Sequence, residues 1–310
     1  MPELKLGKKP ARPGAVKLRM AKYLDTSVLP TPPAEFGHES LVADWQMLMN
    51  DQLGDCVIAG GLHEVMLWNA EANKTVRVSD EAAVKNYSAI TGYDPNDPST
   101  DQGTDMEEAA KYRRKTGLVD ADGNYHKIGA YVALDPGNLT ELWYAIYLFD
   151  GVGIGVEFPS QWMDAFDQGR PWDQVSHPKI EGGHYITAVA RRGGNASIVT
   201  WGQAIPLTAA GYQQFNDETI AYLSEEKLVS GKSLEGFDLA QLQADLAQII
   251  GAPAPDPTPA PTPTPAPTPT DFPAKPVGAW LKHKHNYTHV EADAATAISE
   301  WAKANGIVFP

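Results

Sequence analysis

The sequence contains almost no cysteine: Cys56 is the only one among 310 residues. One thiol cannot form a disulfide bond within the chain, which excludes the disulfide framework of many small secreted domains. The sequence also lacks an apolar run long enough to span a bilayer, and residues 1–13 lack the apolar core of a signal peptide. We therefore expect a chain that is synthesised in a cytoplasm, without a built-in export route and without a membrane partner.

Basic residues are scarce relative to acidic ones. Lys and Arg total 25 against 39 Asp and Glu, and the formal charge of −14 repels the phosphate backbone of nucleic acids. The chain has no glycine-rich phosphate-binding loop, and the pair His63-Glu64 lacks the second histidine of a helical zinc motif. We expect no nucleic-acid partner, no cofactor and no metal ion. Three histidines near the C-terminus are interpreted as an exposed polar surface: His283, His285 and His289.

Proline marks the boundaries between the parts of the chain. Residues 1–36 are basic and contain several prolines, which predicts an extended arm that wraps the main domain or docks on another molecule; a loose solvated tail is the alternative. Residues 252–270 are almost only Pro, Thr and Ala, a composition typical of a polyproline-II linker. Residues 37–251 then form the main domain, and residues 271–310 form a small module that would gain stability from a partner.

The main domain changes from a helical to an extended pattern along its length. Apolar residues at helical spacing predict helices over 56–73, 80–90, 105–116 and 138–149, with a closing helix over 238–250. Short runs rich in β-branched and aromatic residues predict antiparallel strands over 152–158, 184–190, 196–201 and 218–223. The pattern therefore indicates an α+β fold.

Cys56 lies where a polar loop meets the first predicted helix. The unpaired backbone N–H groups at a helix start carry partial positive charge, which favours a thiolate and lowers the pKa of a thiol. A nucleophilic cysteine is therefore one interpretation of Cys56. A buried structural cysteine, which behaves as a small apolar residue, is the other.

His184 is the best candidate for a base among the eight histidines. It follows Gly182 and Gly183 and begins an apolar predicted strand, which would hold the imidazole rigidly. It comes 128 residues after Cys56, close to the spacing of about 130 to 150 found in papain and cathepsins. The competitor, His63, lies about 10 Å from Cys56 along the predicted helix. That distance is too long for a direct hydrogen bond, so we interpret His63 as a packing residue.

Several segments, in this order, resemble a papain-like cysteine peptidase over roughly residues 34–225. Gln52 precedes the cysteine, by fewer residues than is usual in that family, and Cys56 opens a long helix. Four later segments resemble the family's helix after its glycine-rich segment, its first core strand, its histidine strand and its Trp-Gly strand: 103–112, 152–158, 183–189 and 198–202. The resemblance implies a papain-like two-lobed fold, with a helical lobe that carries Cys56 and an antiparallel sheet lobe that carries His184.

The resemblance also implies the roles of the site residues. Cys56 would be the nucleophile and His184 the base, and the Gln52 side-chain amide with the Cys56 backbone N–H would bind the oxyanion. One departure from the family is Asp55, whose negative charge beside the cysteine opposes the thiolate.

A second departure concerns the residue that orients the histidine. The family has an asparagine two residues before the Trp of the Trp-Gly pair, and here Val199 stands at that position. Valine cannot form a hydrogen bond through its side chain. Thr200 or Asn195 could orient His184 instead, and each would support it more weakly than a well-placed amide.

Two functions remain open. The first is a papain-like cysteine peptidase or amide hydrolase that acts on a peptide or protein substrate. The second is a catalytically weak or inactive papain-like scaffold that serves as a structural or binding protein. The arm and residues 45–56 also resemble proteins encoded by tailed bacteriophages and prophages. That resemblance implies synthesis in a host cytoplasm and, as one option, a virion protein that contacts phage structural proteins through residues 1–36 and 271–310.

Overall fold

The computed structural model describes residues 4–24, 26, 29 and 31–224. The predicted helix over 238–250, the linker over 252–270, the module over 271–310 and the three C-terminal histidines lie outside the described residues. Among the residues that are described, no helix combines the length and the apolar character needed to cross a membrane.

The helices of the described part are short to medium in length. The α-helices are α1 Cys56–Glu71, α2 Asp80–Thr91, α3 Met106–Lys115, α4 Leu139–Phe149, α5 Gln161–Asp167 and α6 Ala209–Phe215. Short 3-10 turns lie at Met20–Lys22, Glu39–Leu41 and Pro98–Thr100.

The strands form one large antiparallel sheet and one small hairpin. They are β1 Phe36–Gly37, β2 Leu118–Val119, β3 Tyr125–His126, β4 Ile128–Leu134, β5 Val152–Pro159, β6 Ile180–Arg192, β7 Asn195–Thr200, β8 Gln203–Leu207 and β9 Asn216–Ser224. The seven-stranded sheet has the order β4-β9-β5-β6-β7-β8, and β1 pairs with β6 outside that path. All of its pairings are antiparallel. The predicted α+β class and antiparallel sheet are therefore confirmed.

Polar caps and glycines set the ends of the predicted helices. The side chains of Ser79, Asp105 and Asn138 each accept a hydrogen bond from a backbone N–H of the first turn of α2, α3 and α4. Gly92 ends α2 in a left-handed conformation, and Gly117 follows α3 with φ +92°. The ends of the four predicted helices within the described residues agree with the structure to within two residues.

Several elements of the main domain were not predicted, namely the two-residue strands β2 and β3 and the longer elements β4, β8, α5 and α6. Strand β4 is almost wholly buried, so it shows no apolar-polar alternation. Strand β8 contains Pro206, which argues against a central strand; the structure places β8 at the end of the sheet, where proline is tolerated. Helices α5 and α6 have seven residues each, about two turns, too few for a periodic pattern.

Helix α1 packs directly on β6, and this contact positions the candidate site. Gly60 makes it possible, because a Cβ atom there would lie 2.3 Å from the ring of Tyr185. The hydroxyl of Thr187 also donates a hydrogen bond of 3.0 Å to the Gly60 carbonyl oxygen. The backbone of α1 at Gly60 therefore lies directly against the side chains of Tyr185 and Thr187 in β6.

A buried charged network fixes the same contact. Glu64 of α1 accepts hydrogen bonds from the Tyr185 hydroxyl at 2.7 Å and from Arg113 of α3 at 2.6 Å. Burial raises the pKa of Glu64, and the positive charge of Arg113 partly offsets this effect. Removing one partner from a buried ion pair costs about 3 to 5 kcal/mol. The network therefore ties α1, α3 and β6 together.

The described part of the basic arm, residues 4–24, lies against the main domain. The Ala133 N–H of β4 donates a hydrogen bond of 2.8 Å to the Leu18 carbonyl oxygen. Arg12 donates hydrogen bonds to Asp105 at 2.6 and 2.7 Å. Five apolar side chains of the arm, including Leu29 beyond this segment, are buried in the hydrophobic core: Val16, Leu18, Met20, Tyr23 and Leu29. The arm is thus an integral part of the folded chain.

The contact between α1 and β6 predicts different outcomes for two neighbouring glycines. Gly60→Ala should lower the free energy of unfolding by about 1 to 3 kcal/mol, because the Tyr185 ring is held by Glu64 and cannot move aside. Gly61→Ala is the matched control: its Cβ meets the flexible end of Leu118 at 2.9 Å, and alanine improves helix propensity by about 1 kcal/mol. Urea unfolding of both variants measures the difference, and equal midpoints would contradict this account.

Candidate active site

Cys56 is the first residue of α1 and is buried beneath the arm. Burial raises the pKa of the Cys56 thiol to about 12. The backbone N–H groups of Tyr185 and Gly7 partly offset that effect, while the charge of Asp55 adds to it. The lowered pKa predicted from the helix start is therefore wrong for this state of the chain, because loss of water outweighs the favourable field at the helix end.

Asp55, the neighbour of Cys56, is itself affected by burial. Its side chain is buried, and burial raises the pKa of its carboxyl group well above the ordinary value.

His184 lies in β6 and is fully buried. Its Nε2 atom is 2.7 Å from the Thr200 hydroxyl oxygen, and its ring stacks on Trp201 with a centroid distance of 4.5 Å and an interplanar angle of 24°. Burial lowers the pKa of His184 to about 3, so the imidazole is neutral. Its Nδ1 atom has no hydrogen-bond partner among the described residues. When Nε2–H donates to Thr200, Nδ1 is left as the basic nitrogen.

Strand register explains why Thr200 contacts His184 and the neighbouring Val199 does not. Side chains alternate between the two faces of a strand, and Val199 packs with Trp45, Leu67 and Val189 in a separate cluster. Asn195 lies at the opposite end of β7, opposite Arg192, about 17 Å along the strand from Thr200. Of the two residues predicted as alternatives, the structure therefore places Thr200 at the imidazole.

The backbone of β6 beside His184 contacts Cys56. The Cys56 sulfur is close enough to the Tyr185 backbone N–H to be stabilised by it as a thiolate, and Tyr185 directly follows His184. No hydrogen bond joins the Cys56 sulfur and His184 Nδ1 in this state. His63 lies elsewhere, with its Nε2 atom 3.1 Å from the Gln46 carbonyl oxygen and its ring edge-on to Trp45.

Two amide side chains precede Cys56, in different environments. Gln52, the predicted oxyanion donor, is exposed. Asn50 is buried, and its Nδ2 atom has no hydrogen-bond partner of ordinary geometry among the described residues. Its amide nevertheless lies close enough to the Asp55 carboxyl group to favour the charged form of that acid. Sequence reasoning missed Asn50, because burial of a loop amide leaves no periodic signal.

The arm passes directly over Cys56, and glycines on both the arm and the domain allow the two backbones to lie in close contact. A Cβ atom on Gly7 would lie 1.9 Å from the Gly54 carbonyl oxygen. On the other sides, a Cβ on Gly103 would lie 2.2 Å from the Gly7 oxygen, and a Cβ on Gly183 would lie 2.4 Å from the Lys8 oxygen. The groove beside Cys56 is therefore filled by the backbone of residues 7 and 8.

The arm is held in the groove by backbone hydrogen bonds. Lys8 N–H donates to the Gly183 carbonyl oxygen at 3.1 Å, and Lys9 N–H donates to the Thr104 carbonyl oxygen at 2.9 Å. Thr104 N–H donates to the Gly7 carbonyl oxygen at 2.7 Å. Gly7 thus presents its N–H to the Cys56 sulfur while its carbonyl oxygen is bound elsewhere. This geometry blocks the sulfur and does not offer it a carbonyl carbon to attack.

Two groups of side chains among the described residues could offer ligand atoms to a metal ion. They are His38 with Glu71 and Asp150, and Asp105 with Glu107 and Glu108. Both groups already take part in ion pairs, between His38 and Glu71 and between Arg12 and the second group. Nothing about them indicates a cofactor for Cys56.

Comparison with known proteins shows the fold. No protein-family model matches this sequence, and no curated protein does. Xylellain, a cysteine protease from Xylella fastidiosa, is 14% identical with a TM-score of 0.54, and the match covers 71% of this chain and 96% of that chain. Procathepsin B S9 from Trypanosoma congolense is 10% identical with a TM-score of 0.53, over 71% of this chain and 86% of that chain. The predicted papain-like fold is therefore confirmed, with Cys56 in its first long helix and His184 in its sheet.

Because the arm occupies the groove, we expect the Cys56 thiol to react slowly with alkylating reagents. Iodoacetamide should label Cys56 slowly at pH 7 in the unchanged chain, and the rate should keep rising with pH towards the pKa of about 12. Gly7→Val should displace the arm, because a side chain at residue 7 collides with Gly54. Labelling at pH 7 should then accelerate about tenfold for each unit by which the pKa falls.

Lys9→Ala is the control for this variant, since the Lys9 side chain is exposed and its backbone N–H is kept. Mass spectrometry of the alkylated protein measures the rates. Equal rates for the Gly7→Val and Lys9→Ala proteins would show that the arm does not protect the sulfur.

Proposed function

We propose that the chain is a papain-like thiol peptidase or amide hydrolase whose resting state is blocked by its own N-terminal arm. The observation that carries the proposal is the arrangement around His184: Thr200 holds Nε2, Trp201 stacks on the ring, and Nδ1 is unpartnered among the described residues, next to the strand position that contacts Cys56.

Release of the arm would change the protonation of both residues. Burial is the largest cause of the raised pKa of Cys56 and of the lowered pKa of His184. Water in the groove would therefore lower the former and raise the latter. The two pKa values would move towards each other, which favours transfer of the thiol proton to His184 Nδ1.

The proposed reaction then follows from the positions of these groups. The Cys56 thiolate attacks the carbonyl carbon of a peptide or amide, and the bond between that carbon and the nitrogen breaks as His184 gives its proton to the leaving amine. Water then hydrolyses the thioester, with His184 accepting its proton. Cys56 N–H, at the start of α1 and without a partner within the helix, is one oxyanion donor. A side-chain amide of the preceding loop is the other.

The alternative function is a papain-like scaffold that binds without catalysis, as a phage structural protein or another binding module. The neutral, buried state of both Cys56 and His184 favours it. The contacts proposed for residues 271–310 and the place in a virion rest on the sequence resemblance, and residues 271–310 lie outside the described part of the chain.

Hydrolysis by the arm-displaced chain separates the two functions. The Gly7→Val protein should cleave peptides that carry a fluorogenic amide, and adding Cys56→Ala or His184→Ala should abolish that cleavage. Adding Thr200→Val, which removes the hydrogen bond to Nε2, should lower kcat by about 10- to 100-fold and shift the pH profile. Thr200→Ser keeps the hydroxyl and should restore both. Cleavage that survives Cys56→Ala, or no cleavage with a freely labelled Cys56, would reject the hydrolase.

The identity of the second oxyanion donor is a separate prediction. If the buried amide serves, Asn50→Ala in the Gly7→Val chain should lower kcat by about 10²- to 10³-fold, the usual cost of losing one such donor. Gln52→Ala tests the exposed amide in the same way. The donor is the amide whose removal lowers kcat without lowering the melting temperature. A small loss of kcat in both variants would show that neither amide binds the oxyanion.

A further inference from the structure

The Lys8 side chain of the arm is fully buried, with 0% of its surface exposed. Its ammonium group donates to Asp217 Oδ2 at 2.7 Å and to the Lys9 carbonyl oxygen at 3.0 Å, and it lies 3.2 Å from Glu218 Oε1. An ammonium group has three N–H donors. Lys8 therefore fills a preformed acidic pocket and uses all of its donors there.

The depth of this pocket depends on Gly155 in β5. A Cβ atom on that residue would lie 2.1 Å from Lys8 Cε and 2.9 Å from Asp217 Oδ1. Any other residue at position 155 would fill the space that the basic side chain occupies. The missing side chain thus creates a site for a long, positively charged group.

Lys8 does not satisfy the pocket completely. Asp217 Oδ1 is buried and has no hydrogen-bond partner among the described residues. A guanidinium group has five donors in a planar fork and can bind both oxygens of one carboxylate, whereas an ammonium group acts as a point charge. Arginine therefore complements this carboxylate better than lysine does.

A cavity adjoins the two acids next to the space that Lys8 fills. A cavity of about 240 Å³ lies between the arm and the ends of β4 and β9, and Asp217 and Glu218 line it on the sheet side. On the arm side it is lined by Arg12 and Arg19, which pair with other acids. These arginines belong to the arm and would leave the groove region with it.

The backbone of the arm shows how an extended peptide is held over the same pocket. The Gly183 carbonyl oxygen and both backbone groups of Thr104 bond to residues 7–9 without using their side chains. Another extended chain of any sequence could form these backbone hydrogen bonds. Selectivity among peptides must therefore come from the pocket that holds the Lys8 side chain.

We propose that Gly155, Asp217 and Glu218 form a recognition pocket for a basic side chain of an extended peptide substrate, with arginine preferred to lysine, and that Lys8 occupies this pocket in the resting chain. The inference rests on the proposed function, because it names the peptide class on which the Cys56 site would act. Substrate binding then displaces the arm, because an arginine side chain of the peptide replaces the Lys8 side chain in the pocket.

Binding without catalysis tests the pocket independently of hydrolysis. The full chain with Gly7→Val, Lys8→Ala and Cys56→Ala has a displaced arm, an empty pocket and no nucleophile. Acetylated pentapeptide amides that differ at one central residue, Arg, Lys or norleucine, serve as probes in calorimetric titration. We expect the Arg peptide to bind more tightly than the Lys peptide, and the norleucine peptide to bind at least about tenfold more weakly than the Arg peptide.

The matched control adds Asp217→Asn to the same chain. The Arg peptide should lose its advantage over the Lys peptide, because the paired oxygens are gone, while Glu218 still favours both basic peptides over norleucine. Equal binding of the Arg and norleucine peptides by the chain that keeps Asp217, or a preference for Arg over Lys that survives Asp217→Asn, would overturn the proposal. These outcomes do not depend on whether Cys56 hydrolyses anything, so failure of the pocket and failure of the hydrolase are separate results.

A second measurement needs no empty pocket. In the otherwise unchanged chain, Lys8→Arg should slow the labelling of Cys56 and raise the melting temperature, since the arm then binds Asp217 with two hydrogen bonds. Lys9→Arg is the matched control, because that side chain is exposed. Faster labelling of the Lys8→Arg protein than of the Lys9→Arg protein would overturn the preference for arginine.

Discussion

The close approach of α1 to β6 is the constraint on which the rest of the site depends. Gly60 lets the Tyr185 ring lie against the helix, and Glu64 holds the hydroxyl of that ring. Because side chains alternate along a strand, Tyr185 faces α1 while His184 faces the aromatic side chains of Trp201 and Phe158. A shift of one residue in the register of β6 would exchange these two faces. The glycine on the helix therefore specifies where the imidazole lies.

The sequence was sufficient where a local pattern carries the information. Cys56 at a helix start and His184 in a strand were both placed correctly in the fold, because a helix period, a strand pattern and turn residues are visible within a dozen positions. Thr200 and Asn195 stayed alternatives, because the choice depends on the register of β7 against β6, which no local pattern shows. The contact between Lys8 and Asp217 joins residues 209 positions apart. Such a contact is decided by the whole fold.

The pKa of Cys56 shows most clearly why local reasoning failed. The helix start and the N–H groups of Tyr185 and Gly7 do favour the thiolate. The arm, however, removes water from the sulfur, and loss of hydration outweighs those terms for an anion in an apolar interior. The same cause acts in the opposite direction on His184, whose charged form is a cation. Under the proposed function, removal of the arm would return water to the Cys56 sulfur and lower the pKa of its thiol.

Charge explains how the arm stays in the groove and what could replace it. Its basic side chains contact acids of the domain: Lys8 with Asp217, Arg12 with Asp105, and Arg19 with Asp135. Half of the Arg12 side chain and 40% of the Arg19 side chain are exposed, and exposed pairs contribute about 0 to 1 kcal/mol each. Lys8 differs because it is fully buried, so removing its charge leaves two carboxylates facing each other in poor contact with water. Under the proposed function, a peptide that replaces the arm would bring a positive charge into the same pocket, which would link release of Cys56 to the chemistry of the peptide that reaches it.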